Sequence, residues 1–297
     1  MDTAVDVNAL VNIYYESNDF NILREKTKKD YRYFINQIVK DIGDVKLEDV
    51  TPLVAKRLYE AWVKRGVSLA NHICSVANLL FNYGVMMEYV ATNPFSSVRR
   101  KNVPTRKTVW TREQLTKFLD VAYSEWEYRN IGLIAHMAYE WCQRVGDMRL
   151  LEWDSLDLEN KKLSLTQSKR RSQVELPIHD DLASMLLEQQ NLFGFQQYVV
   201  PMMEPVDTKY KPYTIYHISR AAKAILTKAG LPDELRLSDL RRTGTTEMVD
   251  AGVSMAQIMS VTGHSNPQSV KPYMKHTYIS ANAALAARKA SKDHDTS

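Results

Sequence analysis

Hydrophobic residues recur at helical spacing along almost the whole chain, with one interruption. In SLDLENKKLSLTQSKRRSQVELPI, residues 155–178, the period falls to two: Leu163 and Leu165 share one face, and Val174, Leu176 and Ile178 share another. A strand alternates its side chains between two faces, whereas a helix returns to the same face every three to four residues. The segment therefore cannot continue a helix. It reads as two or three short antiparallel strands with Ser168 to Ser172 at a hairpin tip. A chain of helices interrupted once in this way is confined to a mainly α fold carrying one small antiparallel sheet.

The helices before the interruption fall into two groups. In the first, Val7, Leu10, Val11 and Tyr14 form one apolar stripe. TKKDYRYFINQIVKDIG places Tyr31, Phe34, Ile35 and Ile38 on one face, with Thr27 as the expected N-cap and Gly43 past the end. TPLVAKRLYEAWVKRG has Pro52 in its first turn and Gly66 as its stop, and Ser68 is expected to cap a long helix through Leu69, Ile73, Val76, Leu80 and Phe81. Asn93-Pro94 ends this small helical bundle. After the basic stretch RRKNVPTRK, the pattern TREQ (111–114) is a capping box that opens a second group. Further helices are expected near 181–190, 214–229, 239–250 and 254–262, the last with a Ser254–Gln257 capping box and Gly263 as its stop. The 297 residues suffice for two cores. The expected division is a helical domain over 1–98, a linker over 99–107, a mixed α+β domain over 108–280 and a tail over 281–297.

Charge is informative through its placement. The net charge of +4 is mild, but residues 99–107 hold Arg99, Arg100, Lys101, Arg106 and Lys107 with no acid, and residues 24–32 hold five positives against two acids. Either run has an ordinary reading as solvated surface; a connector that follows a phosphate backbone is the functional one. Cys74 and Cys142 lie on apolar helical patterns, as in an intracellular protein with reduced thiols. Asp2 and Asp6 replace the positive start of a signal peptide, and the uncharged-rich run at 131–143 is too short to cross a bilayer. The expected location is the cytoplasm, without membrane association.

Six positions are hard to explain by packing. Arg144 follows an apolar run, with Asp147 three residues on, near enough along a helical turn to hold a guanidinium. Lys169 falls at the hairpin tip. Arg241 belongs to LSDLRRT, and His264 follows the helix-stopping Gly263. Tyr273 comes nine residues after His264, directly behind Pro272. Each also has a structural reading: a helix-end arginine, a turn lysine, a surface charge cluster of Arg241 with Asp239 and Arg242, a capping histidine, a half-buried aromatic. Pro272 prohibits a regular helix through its position, and Asn266-Pro267 reads as an N-cap followed by proline at the first helical position. Tyr273 is therefore expected on a short or kinked helix set apart from the one at 254–262.

Taken in order, Arg144, Lys169, Arg241, His264 and Tyr273 make residues 108–280 resemble the catalytic domain of the tyrosine recombinases, the integrase family of phages and mobile elements. CQRVGDMRLLEW resembles the segment of the family's first arginine, with its acidic residue three positions later. KRRSQVELPI resembles the lysine hairpin ahead of a Leu-Pro or Ile-Pro pair. SDLR stands where the family has HxxR, and Gly263-His264 with Tyr273 keeps the family's distance to the nucleophile. The helical first domain resembles the family's core-type DNA-binding domain in position and pattern.

The resemblance implies a chemistry that needs neither cofactor nor metal. Arg144 and Arg241 hold the non-bridging phosphate oxygens with planar geometry, His264 adds a hydrogen bond, Lys169 protonates the leaving 5′-oxygen, and Tyr273 forms a 3′-phosphotyrosyl link. Asp147 supports Arg144, while Arg99, Arg100, Lys101, Arg106, Lys107, Arg170 and Arg171 contact duplex DNA. It further implies a homotetramer assembled on two DNA sites, with accessory DNA-bending or directionality factors, and a C-terminal segment, ISANAALAARKA, that docks on a neighbouring protomer. No arm-type domain is expected ahead of the bundle. One position departs from the pattern: Ser238 replaces the usual histidine and cannot titrate near neutral pH. His217 and His276 are candidate substitutes, and Tyr278 is the rival nucleophile. Two further functions stay open, a topoisomerase of the same chemical type and a non-catalytic DNA-binding regulator, the latter favoured by Ser238 alone.

Overall fold

The computed structural model describes residues 5–169, 171–273, 282, 285 and 286. The chain divides into two units, Met1–Arg106 and Lys107–Ser297.

The first unit is helical. Asp6 caps α1 (Val7–Glu16) by accepting from the Ala9 amide, and the expected stripe of Val7, Leu10, Val11 and Tyr14 is its buried face. The single turn α2 (Asn18–Asn21) leads into α3 (Glu25–Ile42). This helix begins a turn earlier than the expected cap at Thr27. Glu25 lies in the first turn, where a carboxylate suits the helix dipole, and it pairs with Lys28 at 2.9 Å, so Thr27 is absorbed into the helix. Pro52 lies in the first turn of α4 (Pro52–Lys64) as read, and Thr51 caps it by accepting from the Val54 amide. Ser68 is likewise inside α5 (Val67–Met86), because the chain turns into that helix already at Gly66, which takes the cap position. Leu10, Ile35, Ile38, Trp62, Ile73, Leu80 and Phe81 fill the core. Trp62 stacks on Phe95 and donates its indole N–H to Asp41 at 2.7 Å, which satisfies its one polar group.

The second unit is built around one helix. The Thr111–Gln114 capping box closes the start of α6 (Arg112–Ser124). Behind it, α7 (Arg129–Glu140) is buried nearly all round, which fits the apolar run in its sequence. A single turn, α8 (Val145–Met148), follows. The alternating segment forms β1 (Leu156–Asp157), β2 (Lys162–Thr166) and β3 (Gln173–Pro177), antiparallel in sequence order, with Leu163 opposite Leu176 and Leu165 opposite Val174. These four leucine and valine side chains face the core. Up to Tyr273, four α-helices follow: α9 (Asp180–Phe193), α10 (Ile215–Lys228), α11 (Leu240–Asp250) and α12 (Met255–Thr262). The Ser254–Gln257 capping box starts α12, and Gly263, at φ +67°, stops it. Two successive 3-10 turns, Pro267–Ser269 and Lys271–Tyr273, then carry the chain to Tyr273. The mainly α fold with its one small sheet is as the sequence predicted. Both cysteines are free and buried. No helix among the described residues is long and apolar enough to cross a membrane.

Helices α7 and α11 meet at Gly244. A Cβ there would lie 2.6 Å from the Cys142 sulfur and 2.8 Å from the Tyr139 carbonyl oxygen. Gly244→Ala should therefore cost about 1–3 kcal/mol through overpacking, seen as a lower urea midpoint with an unchanged slope.

Candidate active site

Where α7 ends, Cys142 adopts φ +50° and turns the chain sharply. The next two residues, Gln143 and Arg144, are thereby directed towards the sheet and α12. Gln143 is fully buried, and its amide nitrogen donates to the carbonyls of Trp141 at 2.8 Å and Val261 at 2.7 Å. Carbonyls only accept, so its oxygen must face the other way. That oxygen accepts from Gln167 Nε2 at 2.6 Å. Gln167, also fully buried, gives its second amide proton to the Thr262 carbonyl at 2.8 Å. Its oxygen is left to accept from Arg144 Nη1 at 2.9 Å. Each amide orientation is forced by the preceding one. Together they tie the end of α7, the end of β2 and the end of α12.

Both arginines hang on this pair. Arg144 also lies 3.5 Å from Asp147, whose carboxylate accepts from the backbone and hydroxyl of Ser168. Arg241, in the first turn of α11 and only 8% exposed, donates to the Thr262 carbonyl at 2.7 Å, to Gln143 Oε1 at 3.4 Å and to His264 Nε2 at 3.2 Å. Burial, and secondarily the Arg144 guanidinium nearby, lower its pKa to about 10; it remains a cation at neutral pH. An arginine can only donate, so His264 Nε2 carries a lone pair. His264 Nδ1 then donates to Thr262 Oγ1 at 2.7 Å, and that hydroxyl donates to the Ile258 carbonyl at 2.7 Å. These partners fix the tautomer with the proton on Nδ1 and the Nε2 lone pair turned to Arg241.

Gly263 makes the turn possible in two ways. Its φ of +67° suits glycine, and a Cβ would fall 2.6 Å from the Gln167 amide nitrogen. Beyond it, the Tyr273 ring is tilted at 41° to the His264 ring with centroids 6.1 Å apart, and the Arg242 guanidinium lies 4.9 Å from its centroid. The phenol is also close enough to Arg241 to favour its charged form.

Of the residues singled out in the sequence, Arg144, Arg241, His264 and Tyr273 come together here. Ser238, in a 3-10 turn ahead of α11, is exposed and joins Arg144 and Arg241 in lining a cavity of about 660 Å³. Lys169 is exposed at the hairpin tip and stands outside the cluster, but its neighbour Ser168 is fastened to Asp147. Arg171 is exposed at φ +53°. His217 is exposed on α10 and is not among the residues lining the cavity. Arg170, His276, Tyr278 and most of ISANAALAARKA lie outside the described residues. Among the described residues no group of three or more His, Cys, Asp or Glu could hold a metal ion.

In the first unit, Arg99, Arg100 and Lys101 are exposed. The Lys101 backbone is pinned by Tyr59 Oη, which accepts from its amide at 2.6 Å, and by Asn71, which donates to its carbonyl at 2.9 Å. Arg99, Lys101 and Lys56 line a cavity of about 510 Å³. Arg106 is half-buried and Lys107 exposed.

Gln143, Gln167 and Thr262 were missed in the sequence. A signal existed for one of them: Gln167 continues the inward series Leu163, Leu165, so alternation alone puts a polar group on the core face.

The sequence pattern of the phage integrase family matches residues 108–279. The chain belongs to the phage integrase family. Within that family of tyrosine recombinases it is similar to the integrase of Enterobacteria phage 434, at 23% identity over 193 residues, which cover 63% of this chain and 52% of that protein. The chain thus spans about half the length of that relative. It is similar to a tyrosine recombinase of Thermosipho africanus at 21% identity over 260 residues, 83% of this chain and 86% of that one. Its fold is similar to that of a lambda integrase tetramer bound to a Holliday junction, with a TM-score of 0.77 at 19% identity, over 92% of this chain and 78% of that one.

Replacing Gln167 with leucine keeps the volume but removes three hydrogen bonds around two buried amides. Gln167→Leu should lower stability by about 1–3 kcal/mol, measured by urea unfolding.

Proposed function

We propose that this family member is a site-specific DNA recombinase that cuts and rejoins strands through a 3′-phosphotyrosyl intermediate. The observation that carries the reading is the meeting of two guanidiniums, an imidazole and a phenol over one buried amide pair. Phosphodiester cleavage adds a nucleophile to phosphorus and concentrates negative charge on the non-bridging oxygens. Arg144 and Arg241 supply two cationic, planar donor sets for those oxygens, already held in place.

The proton balance follows from the same geometry. Tyr273 Oη attacks phosphorus, the bond to O5′ breaks, and the phenolic proton must go to a base. Ser238 cannot take it near neutral pH. His264 Nε2, beside the Tyr273 ring, is the base that the site offers once the phosphate draws away the Arg241 donor that occupies its lone pair in the free protein. Once protonated, it donates Nε2–H to a phosphate oxygen. Lys169, brought down by its hairpin, protonates the departing O5′. The phosphotyrosyl ester keeps the bond energy, and a 5′-hydroxyl from a partner strand displaces Tyr273 by the reverse steps without a nucleotide cofactor.

The substrate is duplex DNA carrying attachment sites, contacted by Arg99, Arg100, Lys101, Arg106, Lys107, Arg170 and Arg171, which supply the salt-sensitive part of the affinity. Four protomers act on two sites; the lambda integrase tetramer bound to a Holliday junction is the precedent for a tetramer on DNA. Accessory proteins set direction, and the reaction takes place in the host cytoplasm.

A core site can be selected from a pool of random duplexes by binding to Tyr273→Phe protein, and then nicked to make a suicide substrate. The native protein should give an SDS-resistant complex linked at Tyr273, and Tyr273→Phe none. Arg144→Ala and Arg241→Ala should each slow its formation by about 10²–10³-fold, with the affinity for DNA changed far less. A link at another residue, or none on a bound site, would refute the assignment.

A further inference from the structure

We propose that Arg242 is a positioning residue for Tyr273: its guanidinium seats the ring of the nucleophile and holds the phenol at the phosphate site. This rests on the reading of Tyr273 as nucleophile. The two arginines at the start of α11 point to different tasks. Arg241 is buried and committed to Thr262, Gln143 and His264. Arg242 is half-buried, and its guanidinium lies 4.9 Å from the Tyr273 ring centroid, within the range in which a cation is attracted by an aromatic face.

Tyr273 needs such a hold because its backbone supplies little. Its segment is a 3-10 turn of three residues, and Pro272 has no amide to donate. The Tyr273 amide donates to the Val270 carbonyl at 2.9 Å, a bond local to the turn. Val270, fully buried, anchors the turn on one side. On the side-chain end, the ring is met by His264 and by Arg242. Among the described residues, the imidazole fixed by Thr262 and Arg241 gives the ring one contact and Arg242 gives it the other. Without the guanidinium the ring gains freedom, and the fraction of molecules with Oη in line with phosphorus falls.

This contact also separates two ways in which a basic residue beside DNA can matter. A guanidinium that serves phosphate binding alone changes affinity. One that seats the nucleophile changes the rate in the bound complex. Lysine preserves a cation over the ring, although not the planar stacking of guanidinium.

Two measurements on the full chain decide it. In protein labelled with [ζ-¹³C]tyrosine, the signal missing from Tyr273→Phe identifies Tyr273. That signal should shift in Arg242→Gln, while the other tyrosine signals stay in place, and should return towards its native position in Arg242→Lys. On the selected suicide duplex at saturation, Arg242→Gln should form the covalent complex about five- to tenfold more slowly, with a Kd within about twofold of native, and Arg242→Lys should recover most of the rate. An unmoved Tyr273 signal, a native rate, or a loss confined to Kd would overturn the proposal. A covalent link mapped to a different tyrosine in the native protein, with the Arg242-dependent signal shift intact, would instead overturn the nucleophile assignment and with it the positioning role.

Discussion

The hydrogen bond between Gln167 and Gln143 is the interaction on which the rest of the site depends. It is 2.6 Å long and fully buried, and it joins the two amides whose oxygens both arginines meet. Gln143 cannot turn over, because the Trp141 and Val261 carbonyls demand its amide protons. Gln167 cannot turn over, because Gln143 and Thr262 demand its own. Arg144 is therefore met by an oxygen. A buried amide with an unmade bond is costly, whereas a satisfied network is rigid. Two guanidiniums, which repel each other, are held close by neutral groups and by one carboxylate, Asp147, so that they retain net positive charge to offer an anion.

Against that rigidity, Tyr273, the proposed nucleophile, sits on two short turns. Gly263 reverses the chain at the edge of the network, close enough to Gln167 that no side chain fits between them. From there the backbone makes only two short 3-10 turns, since Asn266-Pro267 and Pro272 prevent a longer helix. The arginine cluster and Tyr273 are thus governed by different physics. One is fixed by buried hydrogen bonds; the other is placed by a few side-chain contacts.

Much of this was legible in the sequence, for identifiable reasons. The hairpin showed itself because Leu163, Leu165, Val174 and Leu176 alternate without interruption. The capping boxes at Thr111 and Ser254 are short-range signals that tertiary structure left alone. Thr27 and Ser68 misled because a capping residue is recognised only relative to where the helix begins, and Glu25 and Gly66 set those starts earlier. The charged members of the site stood out because arginine, histidine and lysine are conspicuous at helix ends and turns. Gln143 and Gln167 did not, because a glutamine in a sequence gives no sign that its amide will be buried. Arg242 read as one charge of a surface cluster, because its partner Tyr273 is brought to it only by the turn at Gly263.

The most direct test of a site built before DNA arrives is nitrogen-15 NMR of the arginine side chains in the DNA-free protein, with Arg144→Lys and Arg241→Lys supplying the assignments. A preorganised cluster predicts separate guanidinium signals for Arg144 and Arg241, slow solvent exchange at Arg241, and collapse of both features in Gln167→Leu. Averaged, fast-exchanging signals in the native protein, unchanged in Gln167→Leu, would contradict it.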